Sequence, residues 1–223
     1  MSFQQNKYQV IKQAISLDLA NFVFNYFLLK RDAVNFMYNN NLVAETGILG
    51  TWKDQQVPGV YSHYADFAME TLLMKVLPIM TQQTGLDLVP TYSYARVYEK
   101  GSTLFRHKDR PSCEISTTLN LGGDPWPIYV DPTGQNNIVK SQYTQKGEEV
   151  ILKEGAHPGI RIDLAPGDML VYSGCDLEHW RDTFTGNICG QVFLHYNHRN
   201  GQFAETNKFD KRPLLGIPPI RVQ

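Results

Sequence analysis

Cysteine is scarce in this chain: Cys113, Cys175 and Cys189 are odd in number and form no CxxC pair. That excludes a disulfide framework and a cysteine-built zinc site, and it reads as reduced thiols in a cytoplasmic protein. None has a base beside it in sequence, which argues against a thiol nucleophile. An excess charge of either sign is also missing. The formal net charge is −1, so there is no basic field for nucleic acid or for an anionic membrane surface. No apolar run is long enough to span a bilayer, and residues 1–7 lack the basic-then-apolar order of a signal peptide. A glycine-rich phosphate loop, an internal repeat, a low-complexity tract and a linker are likewise absent.

What is present is a composition ordinary for a globular protein, 42% hydrophobic and 19% charged over 223 residues. That length suits one domain with a full core. From Asp18 to about Asn40, Leu19, Phe22, Val23, Tyr26 and Phe27 recur at helical spacing, and Asn39-Asn40-Asn41 ends the run. A second helix is expected from about Ser62 to Thr84, with Met69, Leu72, Leu73, Val76, Leu77 and Met80 as its buried stripe, a kink at Pro78 and Gly85 as its cap. After Pro90 the period changes to two. Tyr92, Tyr94, Arg96 and Tyr98 share one face of a strand and Ser93, Ala95 and Val97 the other. Short strand patterns follow at 104–109, 114–121, 126–131, 150–153, 159–164, 168–173 and 190–196, separated by Gly and Pro turns. The expected fold class is therefore mainly β with supporting helices: a double-stranded β-helix, or cupin-like jelly roll. Its parts would be a helical support region (1–89), the β core (90–199) and a C-terminal tail (200–223), all in one domain (1–223).

The residues that carry chemistry begin with His107-Lys108-Asp109, answered by Glu178-His179-Trp180-Arg181. On a strand, His107 and Asp109 point the same way, and a barrel can bring a third strand with His179 beside them. Two imidazoles and one carboxylate on one face of an octahedral metal leave the opposite face open, which is the facial triad of non-haem iron(II) oxygenases. A ligand histidine must be neutral, and free histidine titrates near pH ~6.5, so metal binding is expected to weaken as the pH falls through about 6. His63, at the expected start of the second helix, His157, in a Gly and Pro turn, and His198 take structural readings. So does His195, although its strand position also allows it to line a pocket.

Taken in order, Tyr98-x-x-Gly101, His107-x-Asp109, Thr118-Leu119-Asn120, Pro166-Gly167-Asp168, Tyr172-Ser173-Gly174, His179 and the closing strand Val192–Asn197 resemble the prolyl 4-hydroxylase-like branch of the 2-oxoglutarate- and iron(II)-dependent dioxygenases. The resemblance covers roughly residues 90–199. It implies a catalytic metal site at His107, Asp109 and His179, with Fe(II), 2-oxoglutarate and O2 as cofactor and cosubstrates. It also implies hydroxylation of an unactivated C–H bond, in a prolyl residue of a peptide or in a small metabolite. One position departs from it. Family members carry a Lys or Arg about ten residues after the second histidine to hold the far carboxylate of 2-oxoglutarate, and here that stretch reads Asn187-Ile188-Cys189-Gly190-Gln191.

Arg96, on the face of Tyr94 and Tyr98, is the first substitute and Arg181 the second, with Tyr98 and Thr118 adding hydroxyls. A guanidinium fork suits a carboxylate. Against these stand ion pairs of Arg96 with Glu114 and of Arg181 with Asp182. Arg110 has two readings, holding a ligand in place or meeting an anionic substrate. The missing last-strand cation also supports a different reading, a non-enzymatic cupin-like binding or structural domain. The sequence sets no oligomeric state.

Overall fold

The computed structural model describes residues 2–144 and 147–218. Helix α1 (Phe3–Asn6) and strand β1 (Tyr8–Ile11) lead in, followed by the long helix α2 (Leu17–Asn39), strand β2 (Tyr61–Tyr64) and helix α3 (Phe67–Thr84). Ten further strands follow: β3 (Leu88–Glu99), β4 (Leu104–His107), β5 (Ile115–Gly123), β6 (Ile128–Val130), β7 (Ile138–Thr144), β8 (Gly147–Leu152), β9 (Ile160–Ile162), β10 (Met169–Ser173), β11 (His179–Arg181) and β12 (Ile188–His198). Helix α4 (Ala204–Asn207) is the last regular element described, followed by a turn over residues 208–211.

The strands form an antiparallel six-stranded sheet in the order β1-β10-β5-β12-β3-β2 and a four-stranded sheet in the order β4-β11-β6-β9. Hairpin β7-β8 stands apart as a sheet of its own. This is the expected jelly roll with its supporting helices. Period-two alternation builds it. On β3, Ala95 and Val97 join the apolar cluster under the helices, while Tyr94 and Tyr98 join a cluster with Leu104, Trp126 and Phe193 between the sheets. On β12, Val192, Leu194 and Tyr196 face the helices, whereas Gln191, Phe193 and His195 face inward with Ser116 and Thr118 of β5.

Both long helices cover the outer face of the larger sheet. Helix α2 buries Ala20, Val23, Phe27 and Val34, and α3 buries Met69, Leu72, Leu73, Val76 and Met80. Ser16 caps α2 by accepting from Leu19 N at 3.2 Å, and Asn41, at φ 55°, lies just past its end. Helix α3 differs from expectation at its start. Residues 62–64 belong to β2, whose edge pairs with β3, and the helix begins after Asp66, whose carboxylate accepts from Ala68 N and Met69 N at 2.9 and 3.1 Å. A side-chain cap, not the apolar stripe, sets that boundary. His63 accordingly sits on a strand, its Nε2 2.9 Å from the Ile48 carbonyl. Gly85 caps α3 at φ 70°, as expected. Strand β7 is exposed over most of its length, Val139 and Tyr143 included, so no buried face marks it as a strand in the sequence. No helix among the described residues is long and apolar enough to cross a membrane.

Candidate active site

Strand β11 lies between β4 and β6, and its register sets His179 directly opposite His107. The two rings stand 4.3 Å apart between centroids. Asp109 lies just beyond the end of β4, where its N–H donates to the Gly174 carbonyl at 2.9 Å. Asp109 thus stands on the same side as His107, although the strand stops short of the carboxylate. Asp109 Oδ1 is 3.6 Å from His107 Nε2 and 3.5 Å from His179 Nε2. Each imidazole uses its other nitrogen on a carbonyl two residues back: His107 Nδ1 to Phe105 O at 2.7 Å and His179 Nδ1 to Leu177 O at 3.0 Å. A carbonyl only accepts, so both rings carry a proton on Nδ1 and leave Nε2 turned toward Asp109. Neutral imidazole nitrogens and one carboxylate oxygen converging in this way are a donor set that fits a divalent transition metal.

Electrostatics keep His107 and Asp109 in that form. Burial first, and then neighbouring His179, hold His107 down to about 4 against the pull of Asp109. Burial works against the Asp109 charge, but His179 and His107 outweigh it and hold the carboxyl well below its usual range. Proton competition at His107 therefore begins lower than the value near 6 expected from free histidine. His195 is also held at about 4, by burial and Arg110 against Asp109.

A pH dependence of the metal-free fold follows. Between pH ~6.5 and about 4 the unfolded chain binds protons that the folded His107 and His195 refuse, so stability falls as pH falls. Each histidine contributes up to about 1.4 kcal/mol per pH unit across that window. Urea denaturation of metal-free protein at pH 7, 6 and 5 checks this. A midpoint that stays level across the series contradicts it.

A second set of donors, Asp109, Cys113 and His195, also converges. Its atoms are already engaged: Cys113 Sγ with Tyr92 Oη at 3.0 Å, and both Asp109 Oδ2 and His195 Nδ1 with Ser116 Oγ at 2.9 Å. It forms the surroundings of the first site.

The triad lies in a cavity of about 430 Å³ whose walls include Tyr92, Tyr94, Arg96, Phe193 and His195 of the larger sheet, Leu104 and Ile128 of the smaller, and Asp54, Gln55 and Gln56 of the loop before β2. Arg96 is spoken for. Its Nε and Nη2 meet Asp54 Oδ2 at 2.7 Å, its Nη2 also donates to Gln56 Oε1 at 2.7 Å, and its Nη1 donates to Tyr98 Oη at 3.2 Å. Its acid is therefore Asp54, not Glu114, which instead accepts from His198 N and Asn197 Nδ2 at 2.9 and 3.3 Å. Burial opposes the Asp54 charge, but Arg96 and Tyr94 hold it below its usual range.

Arg181 is the opposite case. It is 1% exposed and meets only neutral acceptors: Trp126 O, Thr118 Oγ1 at 3.2 Å and Gln191 Oε1 at 3.2 Å. Its Nε has no partner. No carboxylate among the described residues pairs with it, Asp182 included. Burial pulls its guanidinium below the ordinary value. Arg181 does not itself line the cavity, whereas Arg96 does.

Three groups escaped the sequence reading. Asp54 lies in a loop without periodicity. Asp210 comes from the C-terminal segment and takes Arg110 in a two-pronged pair at 2.6 and 2.7 Å, with Tyr64 donating to it at 2.7 Å. Its turn runs Phe209, Asp210 and Lys211 at φ 49°, 55° and 64°, left-handed conformations that cost roughly 1–2 kcal/mol per non-glycine residue. Those ion-paired contacts offset the cost. The third group lies on the reverse face of the ligand strands, where Arg106 and Glu178, each one residue before a ligand histidine, pair at 2.7 Å. Arg106 also bonds Asp131, donates to the His157 carbonyl at 2.7 Å and lies 4.3 Å over the Trp180 ring. Removing one partner of such a buried network strands the rest, so Arg106→Met is expected to cost on the order of 3 kcal/mol, read as a urea-midpoint shift. A shift of less than about 1 kcal/mol contradicts that role.

Solved structures with a similar fold include a prolyl-4-hydroxylase from Pseudomonas putida, with a TM-score of 0.56 at 14% identity, covering 89% of this chain and 96% of that one. HygX from Streptomyces hygroscopicus, solved with nickel and 2-oxoglutarate bound, gives 0.59 at 13% identity over 90% of this chain and 86% of that one. EctD from S. alaskensis with bound Fe gives 0.57 at 12% identity over 96% and 79%. The chain has the 2-oxoglutarate oxygenase fold. No protein-family model matches the sequence, and no curated protein matches it either. At this identity the likeness is one of architecture, and within the oxygenase fold the site's chemistry rests on its own residues.

Proposed function

We propose that this chain is an iron(II)- and 2-oxoglutarate-dependent oxygenase that hydroxylates an unactivated C–H bond of a small molecule. The observation that carries the reading is the convergence of two imidazole Nε2 atoms and Asp109 Oδ1 in one cavity, each ring locked by a carbonyl at Nδ1. His107, Asp109 and His179 would hold the iron. When bound, iron with 2-oxoglutarate and O2 supplies the oxidising power that turns C–H into C–OH while the cosubstrate is converted to succinate and carbon dioxide.

The protein's own part is to bind, orient and exclude water. Arg181 receives the far carboxylate of 2-oxoglutarate, supported by Thr118 and Gln191, because a buried cation without an anion is costly and a dianion relieves that cost. Tyr98 adds a hydroxyl from the neighbouring strand. Arg96, already neutralised by Asp54, braces the loop at the cavity wall and serves the substrate end. Residues from Asp54 to His195 wall the cavity, and Asp210 holds Arg110 beside it, so the helical support region, the β core and the C-terminal segment all contribute to one site.

A small molecule is favoured over a peptide by the size of the cavity and by neighbours solved with hygromycin B and with 5-hydroxyectoine. The non-enzymatic jelly-roll alternative rests on the missing last-strand cation, and a buried Arg181 on β11 that meets no carboxylate among the described residues supports the enzyme instead. Anaerobic titration with Fe(II) and then 2-oxoglutarate tests the proposal. A weak visible charge-transfer band at one equivalent, followed by succinate on admitting oxygen, is expected. Stoichiometric metal with no band and no succinate would mean a metal-binding module.

A further inference from the structure

The two oxygens of Asp109 meet different surroundings. Oδ1 faces the two histidine Nε2 atoms. Oδ2 lies 2.9 Å from Ser116 Oγ, and that hydroxyl also lies 2.9 Å from His195 Nδ1 and 2.9 Å from the Cys113 carbonyl. A hydroxyl has one proton, and carboxylate and carbonyl oxygens only accept. The consistent arrangement has His195 Nδ1–H donating to Ser116 Oγ and the Ser116 proton going to the charged oxygen, the stronger acceptor. Gly174 closes the remaining side. A Cβ there would meet the Cys113 carbonyl at 2.3 Å, Asp109 Oδ2 at 2.4 Å and Ser116 Oγ at 2.8 Å, so only glycine lets Oδ2 reach this seat.

We propose that Ser116 is a positioning residue that restricts Asp109 to metal ligation through Oδ1 alone, with His195 aiming the Ser116 proton and Gly174 leaving the room. The inference rests on the metal-site reading above. Three single-atom protein ligands would leave half of an octahedral metal's positions free, enough for a two-toothed cosubstrate and oxygen together. A carboxylate gripping through both oxygens would take one of those positions.

The test compares wild type, Ser116→Ala, Ser116→Thr, His195→Leu and Asp109→Ala, using nickel(II) calorimetry on the protein without turnover and anaerobic 2-oxoglutarate titration at saturating Fe(II). Ser116→Ala should weaken nickel binding roughly ten- to hundredfold and weaken 2-oxoglutarate chelation even where metal is saturating. Ser116→Thr, which keeps the hydroxyl, should restore both, and His195→Leu should give a smaller loss in the same direction. Melting of the metal-free proteins separates positioning from packing. Ala and Thr variants that melt alike but bind differently support positioning. Ser116→Ala and His195→Leu binding metal and cosubstrate like wild type, or losses that follow the melting temperature regardless of the hydroxyl, overturn it. If Asp109→Ala loses nickel while Ser116→Ala does not, the positioning role alone falls. If Asp109→Ala binds as wild type does, or wild type takes up no nickel, the metal-site reading falls and takes this one with it.

Discussion

Asp109→Ala is expected to abolish divalent-metal binding and, with it, 2-oxoglutarate-dependent succinate formation. The substitution removes the one anionic donor among the three candidate ligands. It leaves His107 and His179, whose rings stand 4.3 Å apart, with no negative charge to offset a dication in a largely buried cavity. The fold should survive, because Asp109 lies past the end of β4 at the cavity wall and Ser116 keeps the Cys113 carbonyl at 2.9 Å as a partner. Far-ultraviolet circular dichroism, nickel(II) calorimetry and succinate assay together check this. A folded variant that still forms succinate at the wild-type rate would remove Asp109 from the site.

Arg181→Met should raise the 2-oxoglutarate requirement by at least roughly a hundredfold while metal binding persists. A guanidinium gives a carboxylate two charge-assisted hydrogen bonds, each worth on the order of 1.5–3 kcal/mol, and every 1.4 kcal/mol is about tenfold in affinity. Arg96→Met should behave differently. It frees Asp54 and Gln56 from a guanidinium they both bind at 2.7 Å, which loosens the cavity wall and weakens binding of the primary substrate. The periodicity of β3 favours Arg96 for the cosubstrate, and that residue does reach the cavity wall. Charge favours Arg181, because Arg96 already has its anion and Arg181 has none among the described residues. Measuring the 2-oxoglutarate dependence of succinate formation in both variants separates them. A hundredfold loss in Arg96→Met with Arg181→Met like wild type reverses the assignment.

The sequence by itself determined the architecture and the identity of the candidate ligands. Both follow from local rules. Alternation on β3, β5 and β12 is a property of the pleat, so residues such as Arg96, Tyr98 and Thr118 had to face inward once the strands existed. The stripe of α3 and the Gly85 cap were likewise written in adjacent residues. His107, Asp109 and His179 were legible because their spacing matched strands that a barrel closes together.

Only the tertiary structure decided which charges neutralise one another. Arg96 finds Asp54 from a loop 42 residues away. Arg110 finds Asp210 exactly one hundred residues on, from a tail with no pattern. Arg181 finds no acid among the described residues. Ion pairs are long-range and non-periodic, so parity along a strand fixes the side a group faces and leaves its partner open. The seat of Asp109 shows the same division. Strand parity already placed Ser116 beside Thr118, but the meeting of Ser116, His195 and Gly174 around one carboxylate oxygen arises from the packing of β5, β10 and β12. That packing joins three adjacent strands of the six-stranded sheet and cannot be read from any one of them.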